Sequence, residues 1–205
     1  MADFYKYLPL LSNAEGGFQK HPSDTGNYNS LGQLVGTNYG ISAKTYEDFI
    51  KRPPTENDMR SMPKSVAIEI YKQNYWHKMK GNFMTNQSVA NILIDHGVNA
   101  GVGRASRLVQ NILKYHFNKN ISVDGAIGNE TLTALNNVNQ YSLFQTIKKE
   151  RENYYKSLGG VFLDGWLSRL KAFFFQENVK ETITGGLILI LSIASFLIYK
   201  GYKTK

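Results

Sequence analysis

None of the eighteen residues from Thr182 to Tyr199 carries a charge, and the run Leu187-Ile188-Leu189-Ile190-Leu191 is followed by Ile193, Phe196, Leu197 and Ile198. Such a stretch has to leave water, either in a protein core or in a bilayer. At about 1.5 Å of rise per residue it reaches roughly 27 Å, enough for a hydrocarbon core. The sequence therefore predicts a transmembrane helix over 182–200. Arg169, Lys171 and Lys180 precede it and Lys200, Lys203 and Lys205 follow, a balance that gives the span no orientation. Phe162, Trp166, Leu167, Leu170, Phe173 and Phe174 alternate with Arg169 and Lys171 just upstream. Residues 161–175 thus read either as an amphipathic helix lying at a membrane surface or as one packed on the preceding domain.

The rest reads as nearly all helix. Asp3 can cap a first helix over 3–14, in which Phe4, Tyr7, Leu8, Leu11 and Ala14 recur at helical spacing and Gly16-Gly17 is the stop. Pro9 is tolerable only in the early turns. Residues 16–42 are rich in Gly and Asn and predict a short β-hairpin carrying Tyr39 and Ile41. Helices are then expected at about 43–51, 64–76, 86–98, 101–116, 128–137 and 141–158. Pro53-Pro54 and Thr55-Glu56-Asn57-Asp58 supply a break and a fresh N-cap. Gly159-Gly160 marks a boundary.

Composition narrows the chemistry. With no cysteine, thiol nucleophiles, disulfides and thiolate metal sites are excluded. His21, His77, His96 and His116 have no metal-ligand spacing, so neither a metal nor another cofactor is expected. A net charge of +8 suits an anionic partner, but no compact basic stripe points to nucleic acid. The first residues do not read as a secretory signal, because Asp3 stands where basic residues belong and no long apolar core follows.

Glu15 is the most pointed polar residue. It ends an apolar helix, and Gly16-Gly17 leaves room beside it for a bulky substrate. Apolar neighbours disfavour a carboxylate, raise the pKa, and keep a proton available for a glycosidic oxygen. Asp24, nine residues on in a polar stretch, would stay ionised and support developing positive charge.

Ala14-Glu15-Gly16-Gly17-Phe18, Asp24-Thr25-Gly26 and Gly36-Thr37-Asn38-Tyr39-Gly40-Ile41-Ser42 resemble glycoside hydrolase family 108. The likeness runs on through Tyr71-x3-Tyr75-Trp76, Asn86-Gln87-Ser88-Val89-Ala90 and Asp95-x3-Asn99-x-Gly101, over about 3–140. The resemblance implies a lysozyme-like fold, cleavage of the N-acetylmuramic acid to N-acetylglucosamine linkage of peptidoglycan, and Glu15 as the catalytic acid. The order of helix, turn, Asp and Thr is also similar to phage-type lysozymes, which makes Asp24 and Thr37 second-tier candidates. One departure is Asn27–Gln33, which lengthens the stretch between the aspartate and the Thr-Asn motif and bears on where Thr37 lies. Thr37, Asn38, Tyr39, Trp76 and Asn99 are the expected substrate contacts: aromatic rings to stack on sugar faces, and amides to bond acetamido groups. Val109–Leu113 and Val123–Leu135 resemble the small peptidoglycan-binding repeat of these enzymes, in which Asp124-Gly125 builds a turn.

The sequence thus predicts a mainly α, lysozyme-like muramidase core over 1–100. A peptidoglycan-binding-like helical segment at 101–158, an amphipathic linker at 159–181 and a membrane span at 182–200 are expected to follow. The expected function is hydrolysis of peptidoglycan glycan strands by an enzyme anchored in the cell-envelope membrane; the alternative is a non-catalytic, membrane-anchored scaffold that binds the wall. A chain ending at Gly159 is expected to remain soluble and active, since the matched motifs precede that point.

Overall fold

The computed structural model describes residues 1–12, 16–160 and 162–177. At its centre is helix α5 (Gln87–Ala100). Asn86 caps it, its Oδ1 accepting from the N–H groups of Ser88 and Val89 at 2.9 and 3.1 Å. Every residue from Ser88 to Gly97 is buried. A helix apolar around most of its circumference has to be surrounded, and here it is. Helix α1 (Phe4–Ser12), a π-helical turn (Lys72–His77), α6 (Val102–Tyr115) and α8 (Gln140–Leu158) all pack on it.

Those neighbours each bury one face. α1 turns Phe4, Tyr7 and Leu11 inward, the spacing read in the sequence, and α8 does so with Leu143, Phe144, Ile147, Arg151 and Tyr155. Two shorter helices, α2 (Ala43–Ile50) and α3 (Glu56–Arg60), follow the Gly- and Asn-rich loop. α3 begins at the N-cap expected at Thr55, and the structure makes it a capping box: the Thr55 hydroxyl accepts from Asp58 N while the Asp58 carboxylate accepts from Thr55 N. α4 (Lys64–Tyr71) leads into the π-helical turn, and α7 (Asn129–Asn136) and α9 (Leu163–Lys171) complete the order.

Residues 16–42 do not form the expected β-hairpin. Among the described residues there are only isolated bridge pairs, Gln19 with Thr37, Tyr28 with Leu34 and Asn38 with Ile41. The reason is local. Asn29 Oδ1 accepts from the N–H groups of Leu31 and Gln33, both at 3.0 Å, and Asn27 Nδ2 donates to His21 O at 2.9 Å. Side chains that satisfy backbone groups in this way displace a ladder.

The membrane anchoring expected from the sequence is likewise corrected. Among the described residues no helix is long and apolar enough to cross a membrane. The predicted span at 182–200 lies outside the described residues. Upstream of it, α9 packs on α8, with Leu170 and Phe173 buried.

One buried polar cluster fastens the helices together. Asp95 of α5, fully buried, accepts from Arg151 of α8 at 2.8 Å, from Arg169 of α9 at 2.7 Å and from the Tyr7 hydroxyl of α1 at 3.2 Å. Burial pushes the Asp95 carboxyl up, but the two guanidinium groups outweigh it and hold the group below the usual carboxylate range. Burial and the adjacent Asp95 push the Tyr7 phenol well above its ordinary value, so it stays neutral and donates. Arg169, Leu170 and Phe173, which follow Gly159, thus pack as part of the same body.

Candidate active site

Glu15 lies outside the described residues, but the residues around it in sequence line a cavity. Leu8 and Leu11 of α1, Gly16, Gly17, Tyr39, Lys64, Ala67, Ile68 and Tyr71 enclose about 160 Å³. The walls are mostly aliphatic and aromatic, with Lys64 as the charged member. Gly16 and Gly17 are exposed, and a Cβ added at either would meet nothing within 4 Å among the described residues.

Tyr39 reaches the cavity through a tight turn. Asn38 and Ile41 exchange backbone hydrogen bonds of 3.2 and 2.8 Å, and the two residues between them, Tyr39 and Gly40, have φ of 49° and 70°. Positive φ at both central positions is the I′ geometry, which a tyrosine adopts at a cost of about 1 kcal/mol. The turn is held by the Tyr71 hydroxyl, which donates to Tyr39 O at 3.0 Å. Backbone strain fixed by the surroundings is a frequent mark of functional loops.

In the loop that carries Tyr39, Gln19 joins two of the expected residues. Its Nε2 donates to Asp24 Oδ2 at 2.8 Å and to Thr37 Oγ1 at 2.9 Å. Asp24 Oδ1 accepts from Gly26 N at 2.9 Å, so each oxygen of this exposed carboxylate holds one hydrogen bond and has room for more. Gln19 and Thr37 also pair through their backbones at 3.0 and 2.9 Å. That pairing depends on Gly36, whose φ is 94°: a Cβ there would lie 2.7 Å from Gln19 O and from the Phe18 ring. The lengthened stretch at Asn27–Gln33 closes on itself and on the core, where Asn29 Nδ2 donates to Pro54 O at 3.0 Å. Thr37 therefore stays beside Asp24.

The remaining expected contacts are elsewhere. Trp76 is fully buried, stacked on Tyr7 at 6.0 Å and donating to Asn82 Oδ1, so no face of the indole is open to a sugar. Asn38 is buried and donates to Met59 O at 2.8 Å, which makes it a support for the turn rather than a substrate contact. Asn99 is bonded to Asp95 and lines a separate hollow with Leu10, Trp166 and Arg169. Asp124 accepts from Gln110 at 2.7 Å and from Ala126 N at 2.9 Å, closing the turn read in the sequence. The Gln110 hydrogen bond, followed by that from Ala126, lowers the Asp124 pKa. Gln19 and Lys64 are the residues that sequence reasoning missed. Gln19 gains its role from pairing across the loop, and Lys64 from the fold that brings α4 beside Gly16. Among the described residues no group of three or more His, Asp or Glu side chains could hold a metal ion.

An apolar cavity and, in the loop that contributes to its lining, a hydrogen-bonded, solvent-exposed carboxylate are features that glycoside hydrolysis can use, and two stretches of the chain are similar to known families. Residues 8–101 match the family described as Glycosyl hydrolase 108, and residues 104–171 match the one described as Predicted Peptidoglycan domain. Among solved structures, that of Brucella abortus SagA is similar, with 28% identity and a TM-score of 0.68 over 82% of this chain and 89% of that one. No curated protein matches the chain.

Proposed function

We propose that the protein is a peptidoglycan hydrolase that cleaves the β-1,4 bond from N-acetylmuramic acid to N-acetylglucosamine, with Glu15 as the general acid. The observation that carries this reading is the apolar cavity lined by Leu11, Gly16 and Gly17, the described neighbours of Glu15 in sequence. A carboxylic acid among such walls keeps its proton to higher pH, as proton donation to the bridging oxygen requires.

Asp24 has the complementary role. Exposed and hydrogen-bonded by Gln19 and Gly26 N, it remains an acceptor and stabilises the oxocarbenium-like charge or orients the attacking water. Thr37 fixes Gln19, and Gln19 fixes the carboxylate. Tyr39 and Tyr71 supply a wall against which a sugar face can rest. The matched peptidoglycan domain supports the wall polymer as substrate. Digestion of purified peptidoglycan tests the reading: the native chain is expected to release new reducing ends on muramic acid, and the Glu15→Gln chain to do so at least about a hundredfold more slowly. A native chain that binds the wall without releasing such ends would be a scaffold.

A further inference from the structure

A second hollow, of about 570 Å³, lies on the Asp24 side of the loop and is lined by Gln19, His21, Ser23, Asp24, Thr25 and Phe162. Five of these residues belong to the stretch that matches the hydrolase family. Phe162 does not: it comes from the connection between α8 and α9, within the stretch matching the peptidoglycan domain.

Phe162 is 67% exposed, an unusual position for a phenyl ring beside five polar side chains. A single exposed apolar residue is ordinary on a protein surface. This one differs in being braced. Its ring lies 6.1 Å from that of Trp166, which stacks on the buried Tyr155 at 5.6 Å, so a row of rings runs from the core to the rim of the hollow. The backbone that delivers it is equally specific. Gly159 and Gly160 have φ of 58° and 80°, conformations that side chains with a Cβ rarely adopt.

A flat apolar ring facing amide, imidazole, hydroxyl and carboxylate groups is what a pyranose needs. The axial C–H face of the sugar covers the ring, and its hydroxyl and acetamido groups meet the polar side chains. The volume falls in the range of small-molecule sites, roughly 300–1,000 Å³. We infer that Phe162 and the loop residues Gln19, His21 and Asp24 form a glycan subsite, in which Phe162 stacks on a sugar ring of the strand being cleaved. The peptidoglycan domain then completes the cleft instead of acting only as a separate anchor. The inference rests on the hydrolase reading for the identity of the sugar.

The test separates the two. In the full chain carrying Glu15→Gln, so that turnover does not consume the probe, titration calorimetry with peptide-free peptidoglycan glycan strands measures binding. Phe162→Ala and Phe162→Leu are expected to weaken binding about tenfold, as the loss of a half-covered ring implies, whereas Phe162→Trp retains it. Thermal melting of all three variants is expected to match that of the parent, because the ring is exposed. Equal affinity of Phe162→Ala and parent, or no binding by the parent, would overturn the subsite. If the Phe162 dependence holds while Glu15→Gln in the otherwise native chain still hydrolyses wall, the acid assignment fails and the subsite stands.

Discussion

His96 offers a clean test of the packing around α5. Its imidazole is fully buried, edge-on to Tyr154 and Tyr155, and neither ring nitrogen has a hydrogen-bond partner among the described residues. Burial, with the nearby Arg151 charge, lowers its pKa from the ordinary 6.5 to about 3. The sign follows from linkage. Between those two values the unfolded chain takes up a proton that the folded chain refuses, so stability falls as pH drops below 6.5. At pH 5 the loss is about 2 kcal/mol, and were the whole window expressed it would approach about 5 kcal/mol. The Asp95 carboxylate, held low, acts in the same direction but only below about pH 4, where the unfolded carboxyl begins to protonate. The interval from pH 7 to 5 therefore isolates His96. Urea unfolding of the native chain and of His96→Leu at both pH values measures it: the native chain is expected to lose about 2 kcal/mol more than the variant. Parallel pH profiles would refute the argument, since they would mean that the folded protein accommodates imidazolium at that position.

Two further outcomes follow from the geometry. Asp24→Asn is expected to lower hydrolysis of peptidoglycan by at least about tenfold with little change in melting temperature, whereas Asp124→Asn should do the reverse; the opposite ordering in paired activity and melting assays would misplace the cleft. In the buried cluster, Asp95→Asn removes the carboxylate that Arg151 and Arg169 share and is expected to cost about 3–5 kcal/mol. Arg169→Leu leaves the Asp95–Arg151 pair intact and is expected to cost about 1.5–3 kcal/mol, the loss of charged hydrogen bonds. Urea unfolding of both variants decides whether Asp95 is the hub.

The helices were legible because each has one requirement, a face to bury, and periodicity records it. The segment expected at about 141–158 is α8, Gln140–Leu158, and that expected at 43–51 is α2, Ala43–Ile50. Residues 16–42 were not legible as structure, because Asn27 and Asn29 decide the backbone there through side-chain hydrogen bonds that no alternation of apolar residues signals. Asp24 and Thr37 could be picked out from their motifs, while the Gln19 bridge between them depends on which residues pair across the loop. Trp76 shows the opposite failure. An aromatic in a family motif fits a sugar platform and a core residue equally well until burial is known, and here it is fully buried. Phe162, the ring that does face the hollow, lies well over a hundred residues from Asp24 in sequence, and only the packing of α8 and α9 brings the two together.

The central claim is that Glu15 donates the proton, and its most direct test is the rate of reducing-end release from purified peptidoglycan by native and Glu15→Gln chains. Glutamine keeps the shape and removes the acid, so folding, followed by circular dichroism and melting, should be unchanged. Loss of a general acid is expected to lower the rate by about 10²–10⁴-fold, equivalent to about 3–5 kcal/mol of transition-state stabilisation. A Glu15→Gln chain that folds normally and stays within a few-fold of the native rate would contradict the account.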